Sequence, residues 1–112
     1  MRVCVIGTGY VGLVTAACLS HIGHAVVGVD IDRRKIALLR KGLSPIYEPG
    51  LDRMLQVHMD AGNLSFSEDA ESAIAHAEAI LIAVGTPPRT DGHVDLRHIE
   101  AALRTIGRAL EP

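Results

Sequence analysis

Strand-like runs alternate with segments of helical spacing along this chain. Val3-Cys4-Val5-Ile6 is continuously apolar and stops at a glycine, the pattern of a strand buried on both faces. From Tyr10 to Ile22 apolar residues recur at Val11, Val14, Cys18 and Ile22, which predicts a helix ended by the left-handed position of Gly23. Ala25 to Val29 reads as a second buried strand closing on Asp30. A short helix with Ile36 and Leu39 inward follows, stopped at Gly42. Ser44-Pro45-Ile46-Tyr47-Glu48-Pro49-Gly50 is a loop, because each proline drives the preceding residue away from helix. Leu51, Met54, Leu55, His58 and Met59 trace the inner face of another helix. Asn63 to Ser67 alternates strictly, as a strand near a sheet edge does, and Glu68 to Ala75 reads as a short helix with acids at its positive end. Ala79 to Val84 is expected to be a third fully buried strand. Leu96, Ile99, Leu103, Ile106 and Leu110 mark a last helix, with Asp91-Gly92 a turn and Asp95 its N-cap.

Four strands, each followed by helix, call for parallel pairing with right-handed crossovers. The expected fold is therefore α/β, a doubly wound sheet of the Rossmann type with strand order 3-2-1-4, formed as one domain over residues 1–112.

Within that frame one segment carries chemistry. Gly7-Thr8-Gly9-Tyr10-Val11-Gly12 follows a predicted strand, opens a predicted helix, and is succeeded 18 residues after Gly12 by an acid, Asp30, at the end of the next strand. Gly7 permits the tight turn. Gly9 lets a pyrophosphate approach the N–H groups at the helix N-terminus, and Gly12 allows close packing of helix on sheet. Asp30 suits the adenosine ribose hydroxyls of a dinucleotide, and its charge opposes the 2′-phosphate of NADP. NAD is thus favoured, although Arg33, Arg34 and Lys35 are cations able to receive a phosphate. Asp32 or a neighbour is left to cap the following helix. Gly85-Thr86-Pro87-Pro88 succeeds the third buried strand, beside the glycine loop at the point where strand order reverses. Bare backbone at Gly85, the Thr86 hydroxyl and the extended loop at Pro87 can line the same dinucleotide.

Composition narrows the remaining choices. Hydrophobic residues make up 48%, charged residues 21% and aromatic residues 3%, with a net charge of −2. That is an ordinary globular chain with neither the positive field nor the stacking platforms of a nucleic-acid binder. No run approaches the length of a membrane span. Cys4 and Cys18 are expected to be buried structural thiols in a reducing cytoplasm. The six histidines form no motif of metal-ligand spacing, and no nucleophile elbow or P-loop is present.

Several segments together resemble the N-terminus of the nucleotide-sugar 6-dehydrogenases, the bacterial UDP-glucose 6-dehydrogenases most of all. They are Gly7 to Val14, Val29-Asp30-Ile31-Asp32 with Lys35-Ile36, Pro45 to Leu51, Val84 to Pro88, and Asp91-Gly92 with Asp95-Leu96. The resemblance runs in order along the whole chain. It implies that Val11, Asp30, Lys35 and Thr86 contact NAD. It also implies an enzyme that oxidises the sugar C6 alcohol to a carboxylate in two hydride transfers, acting as a homo-oligomer on a nucleotide sugar. The family's catalytic cysteine, sugar-binding domain and dimer helix find no counterpart here, so the chain is expected to be an incomplete NAD-binding portion, inactive alone and without catalytic residues. A GDP-mannose 6-dehydrogenase and a non-catalytic, free-standing NAD-binding module are the alternatives.

Overall fold

The central strand organises everything around it. In the computed structural model, which describes residues 1–85, 90–93 and 95–110, β1 (Arg2–Ile6) pairs parallel with β2 (Ala25–Val29) on one side. On its other side it pairs with β4 (Ala79–Ile82), while β3 (Leu64–Ser67) continues the sheet beyond β2. The order is β3-β2-β1-β4, as the sequence pattern predicts. Five helices, α1 (Tyr10–His21), α2 (Arg33–Arg40), α3 (Leu51–Ala61), α4 (Ala70–His76) and α5 (Arg97–Ala109), complete the described elements.

Alternate residues of β1 feed two separate cores, as strand geometry requires. Val3 and Val5 pack with Leu13, Ile36, Leu39, Leu55 and Phe66 on one face. Cys4 and Ile6 pack with Val29, Ile74 and Ala102 on the other. Ile36, Leu39 and Leu55 have no exposed surface, and burying each side chain stabilises the fold by about 2 kcal/mol. The inner faces read for α2 and α3 are the ones observed. Register matters most for the site, because Ile6 lies opposite Val29 on one side and Ile82 on the other. The residues just beyond, Gly7, Asp30 and Ala83, therefore emerge at one edge of the sheet.

Elsewhere the structure departs from the periodicity. The stripe Val11, Cys18 and Ile22 of α1 faces solvent, and the buried side is Gly12, Leu13, Ala16, Ala17 and Ser20. Small residues let α1 lie close to the sheet, and close approach outweighs apolar count. Ser20 is tolerated there because its hydroxyl donates to the Ala16 carbonyl at 2.9 Å. Cys18 is consequently exposed and only Cys4 is buried, contrary to the expectation for the pair. The apolar run at Ala79–Val84 is a strand only to Ile82. As an edge strand it leaves Leu81 and Ile82 40% and 37% exposed instead of fully buried. In α5 the buried position is Ala102, while Leu96, Leu103 and Leu110 are exposed. Asp95 stands one residue ahead of the N-cap, Leu96, although it still accepts the Arg97 N–H at 3.0 Å.

Candidate cofactor site at the strand ends

The glycine loop owes its shape to two tight contacts and one open position. Gly7 has φ +105°, and a Cβ there would stand 2.6 Å from the Ala83 carbonyl oxygen. A Cβ on Gly12 would run into the Gly7 carbonyl, so the first turn of α1 sits directly against the strand end. Gly9 is different: its Cβ position has no atom within 4 Å. Gly9 is also the N-cap of α1 and supplies no capping side chain, and no acid occupies the first turn. The N-terminal N–H groups of a 12-residue helix, with their partial positive charge, thus stand beside open space.

Asp30 closes the other side of the loop. Its Oδ2 accepts the Thr8 N–H at 3.0 Å and the Thr8 hydroxyl at 2.7 Å, and its Oδ1 accepts the Asp32 N–H at 2.9 Å. Partial burial pushes the carboxyl up. The bonds from the Thr8 hydroxyl, the Asp32 N–H and the Thr8 N–H, together with the Lys35 charge, outweigh that push and hold it below the ordinary Asp value. Asp32 caps α2 by accepting from the N–H groups of Arg34 and Lys35, which leaves Asp30 out of the helix cap.

Gly7, Thr8 and Gly9 form one wall of a cleft of about 810 Å³. Asp30, Ile31, Asp32 and Lys35 form a second, and Ala83, Val84 and Gly85 a third. Of the residues singled out from sequence, Gly7, Gly9, Asp30, Lys35 and Gly85 therefore meet in one space. Gly12 lies beneath the loop. Tyr10 and Val11 are exposed at the start of α1, and the Tyr10 hydroxyl donates to Glu48 Oε2 at 3.0 Å, tying the helix to the proline-rich loop. Thr86 and Pro87 lie outside the described residues. Of the three neighbouring cations only Lys35 lines the cleft, for Arg33 pairs with Glu68 at 3.1 Å.

Sequence reasoning missed the floor. His98, Ala101, Ala102 and Thr105 line the cleft from α5, and Glu68 and Ile31 from its rim. Their spacing marks one helical face, but leucines dominate the opposite face and drew the assignment there. A smaller cavity of about 340 Å³, bounded by Arg2, Ser65 and His76 among others, lies away from the glycine loop. Among the described residues no three His, Cys, Asp or Glu side chains converge on a metal position, and no helix is long and apolar enough to cross a membrane.

Comparison with known proteins decides what kind of cleft this is. Residues 1–112 match the NAD-binding domain of the UDP-glucose/GDP-mannose dehydrogenase family. The chain belongs to that family. It is 49% identical over 110 residues to the UDP-glucose 6-dehydrogenase of Pseudomonas aeruginosa, covering 98% of this chain and 24% of that protein. The GDP-mannose 6-dehydrogenase of the same organism is 46% identical, with 98% and 25% covered. The crystal structure of a ternary complex of GDP-mannose dehydrogenase from Pseudomonas aeruginosa superposes with a TM-score of 0.96 at 45% identity, over 98% of this chain and 25% of that one. This chain thus spans about a quarter of the length of such relatives. NAD is the cofactor of the family domain, and the observed cleft fits it. Gly9 leaves room for a pyrophosphate, the uncapped helix end offers donors to it, and Asp30 offers an acceptor to a ribose.

Proposed function

We propose that this chain is the NAD-binding domain, residues 1–112, of a UDP-glucose 6-dehydrogenase. That enzyme oxidises the C6 alcohol of UDP-glucose to the carboxylate of UDP-glucuronate, passing two hydrides to two NAD. The observation that carries the reading is the meeting of an open Gly9, an uncapped helix N-terminus and the Asp30 carboxylate in one cleft. Bound there, NAD supplies the hydride acceptor. Gly7, Gly9 and Gly12 shape the pyrophosphate loop, with the N–H groups of Tyr10 and Val11 as donors. Asp30 and Lys35 receive the adenosine ribose, Gly85 stands on the wall facing them, and Thr86 and Pro87, next in sequence, are assigned to the same cofactor by family resemblance. Asp30 is negative beside that ribose, so a 2′-phosphate is disfavoured and NAD is preferred over NADP.

We assign no catalytic residue to this chain. Cys4 is sealed in β1 and its thiol is pushed up to about 11 by burial, while Cys18 lies on the outer side of α1 and does not line the cleft. UDP-glucose is the favoured substrate because identity to the UDP-glucose enzyme, 49%, exceeds the 46% to the GDP-mannose enzyme. The TM-score of 0.96 to a GDP-mannose dehydrogenase favours that substrate as a second reading. By family resemblance the whole enzyme is cytoplasmic and homo-oligomeric. Calorimetric titration of the 112-residue chain with NAD and NADP tests the cofactor half of the proposal. Saturation by NAD at lower concentration than NADP is expected, and no saturation by either contradicts it. Turnover assays on the enzyme carrying this domain test the other half. Oxidation of UDP-glucose in preference to GDP-mannose supports the proposal, and the reverse preference overturns its substrate.

A further inference from the structure

Asp30 is gripped by the protein itself on both carboxylate oxygens. An ionised carboxylate offers about four acceptor positions, two on each oxygen. Both donors of Thr8 converge on Oδ2, at 3.0 Å from N–H and 2.7 Å from the hydroxyl. The Asp32 N–H takes one position on Oδ1 at 2.9 Å. The acceptor position left open is therefore on Oδ1. Thr8 is built to stay in place, with 1% of its surface exposed and its methyl 3.6 Å from where a Cβ on Gly28 would stand. A β-branched side chain seated in this way has its χ1 fixed, which keeps the hydroxyl aimed at Asp30.

We infer that Thr8 is a positioning residue for cofactor recognition: by filling Oδ2 with both of its donors, it makes Asp30 grip one ribose hydroxyl, through Oδ1, and not two. A bidentate grip on the 2′- and 3′-hydroxyls needs a free position on each oxygen, and Thr8 removes one. The second hydroxyl falls to another partner on the rim, where Lys35 lines the cleft as a cation and a donor. Thr8 also helps to keep Asp30 ionised. Lys35 works in the same direction, as does the Asp32 N–H; the other titratable groups lining the cleft are the Asp32 and Glu68 carboxyls and His98 of α5. The ligand in this inference rests on the NAD reading above; the Thr8–Asp30 clasp does not.

The test uses the 112-residue chain as wild type, T8S, T8V and D30N, each first checked for native circular dichroism. Carbon-13 NMR of the Asp30 carboxyl decides the clasp. Wild type and T8S are expected to titrate below the ordinary Asp value, and T8V at higher pH than either; coincident titrations in wild type and T8V overturn it. NAD binding should stay within about twofold of wild type in T8S, and in T8V, where one position on Oδ2 is freed, Asp30 should couple to both ribose hydroxyls; coupling to one alone in T8V overturns the role of Thr8. A cycle between D30N and NAD analogues lacking the adenosine 2′- or 3′-hydroxyl decides the grip. Asp30 should couple to one hydroxyl alone, and equal coupling to both overturns the single grip. Failure of wild type to saturate with NAD would defeat the ribose part together with the nucleotide reading, and the carboxyl titration would still decide the clasp.

Discussion

β1 and β4 are both short aliphatic strands, paired with each other over four positions, and they end in opposite surroundings. Val3 to Ile6 of β1 are buried, whereas β4 is half-buried at Ala79 and Ile80 and exposed at Leu81 and Ile82. β1 has a strand on each side and helices over both faces. β4 has β1 on one side and, among the described residues, no strand on the other. The same contrast divides the helices. α2 buries Leu39 and α3 buries Leu51 and Leu55, whereas α5 buries Ala102 and exposes Leu103, with Leu96 and Leu110 exposed at its two caps. The lesson is that apolar sequence gives the wish to be buried, and position in the sheet grants it or withholds it. The cleft lies across this divide. Its glycine-loop and Asp30 walls belong to the closed half, and its floor and far wall belong to the open half.

The contrast breaks most completely if the closed half is overpacked. Gly12→Ala drives a methyl group into the Gly7 carbonyl at the root of the loop. A loss of about 3 kcal/mol or more is expected by urea denaturation, enough to leave a marginal domain largely unfolded. A cooperative transition at the wild-type midpoint would mean that the close approach is not real.

Paired truncations sharpen it. Leu39→Ala empties a site with no exposed surface and should cost about 3 kcal/mol. Leu103→Ala removes a side chain that is 54% exposed and should change stability by less than about 0.5 kcal/mol. Equal losses would erase the distinction between the halves.

Smaller effects come from titration and thiol chemistry. The Asp30 carboxyl lies below its ordinary value of 3.8 in the folded chain. Its contribution to stability is therefore present above that value and is lost as pH falls through the depressed folded one. Asp30→Asn should accordingly flatten the acid limb of the stability curve below about pH 4 and leave the neutral region parallel to wild type; an unchanged acid limb would show that the carboxylate gains nothing from its partners. Cys18 is exposed and Cys4 is buried with its thiol held up near 11, so a thiol reagent at neutral pH should modify Cys18 alone until denaturant is added. Rapid modification of both would contradict the sealing of β1.

Much of this architecture was legible in the residues. The strand order follows from right-handed crossovers between four strands, and the edge position of β3 follows from its alternation at Leu64, Ser65, Phe66 and Ser67. The inner face of α3 was readable because Leu51 and Leu55 are large, apolar and spaced at helical period. Faces built from small residues were not. Ala16, Ala17 and Ser20 of α1 outcompete Val11 and Ile22 for the sheet, and Ala101, Ala102 and Thr105 of α5 form the cleft floor while leucines point away. Hydrophobic periodicity weighs size, and close helix packing rewards its absence. The Thr8–Asp30 clasp was hidden for a different reason: it joins residues 22 apart through the ends of adjacent strands, a contact that register alone creates.

The central claim, that the cleft at the strand ends holds NAD, is tested most directly by nitrogen-15 NMR of the 112-residue chain titrated with NAD. Saturable shifts are predicted at Gly7, Thr8 and Gly9, at Asp30 to Lys35, at Gly85 and along Ala101 to Thr105, with the smaller cavity beside Ser65 and His76 unmoved. Shifts confined to that smaller cavity, or no saturable shift at the glycine loop, would contradict it.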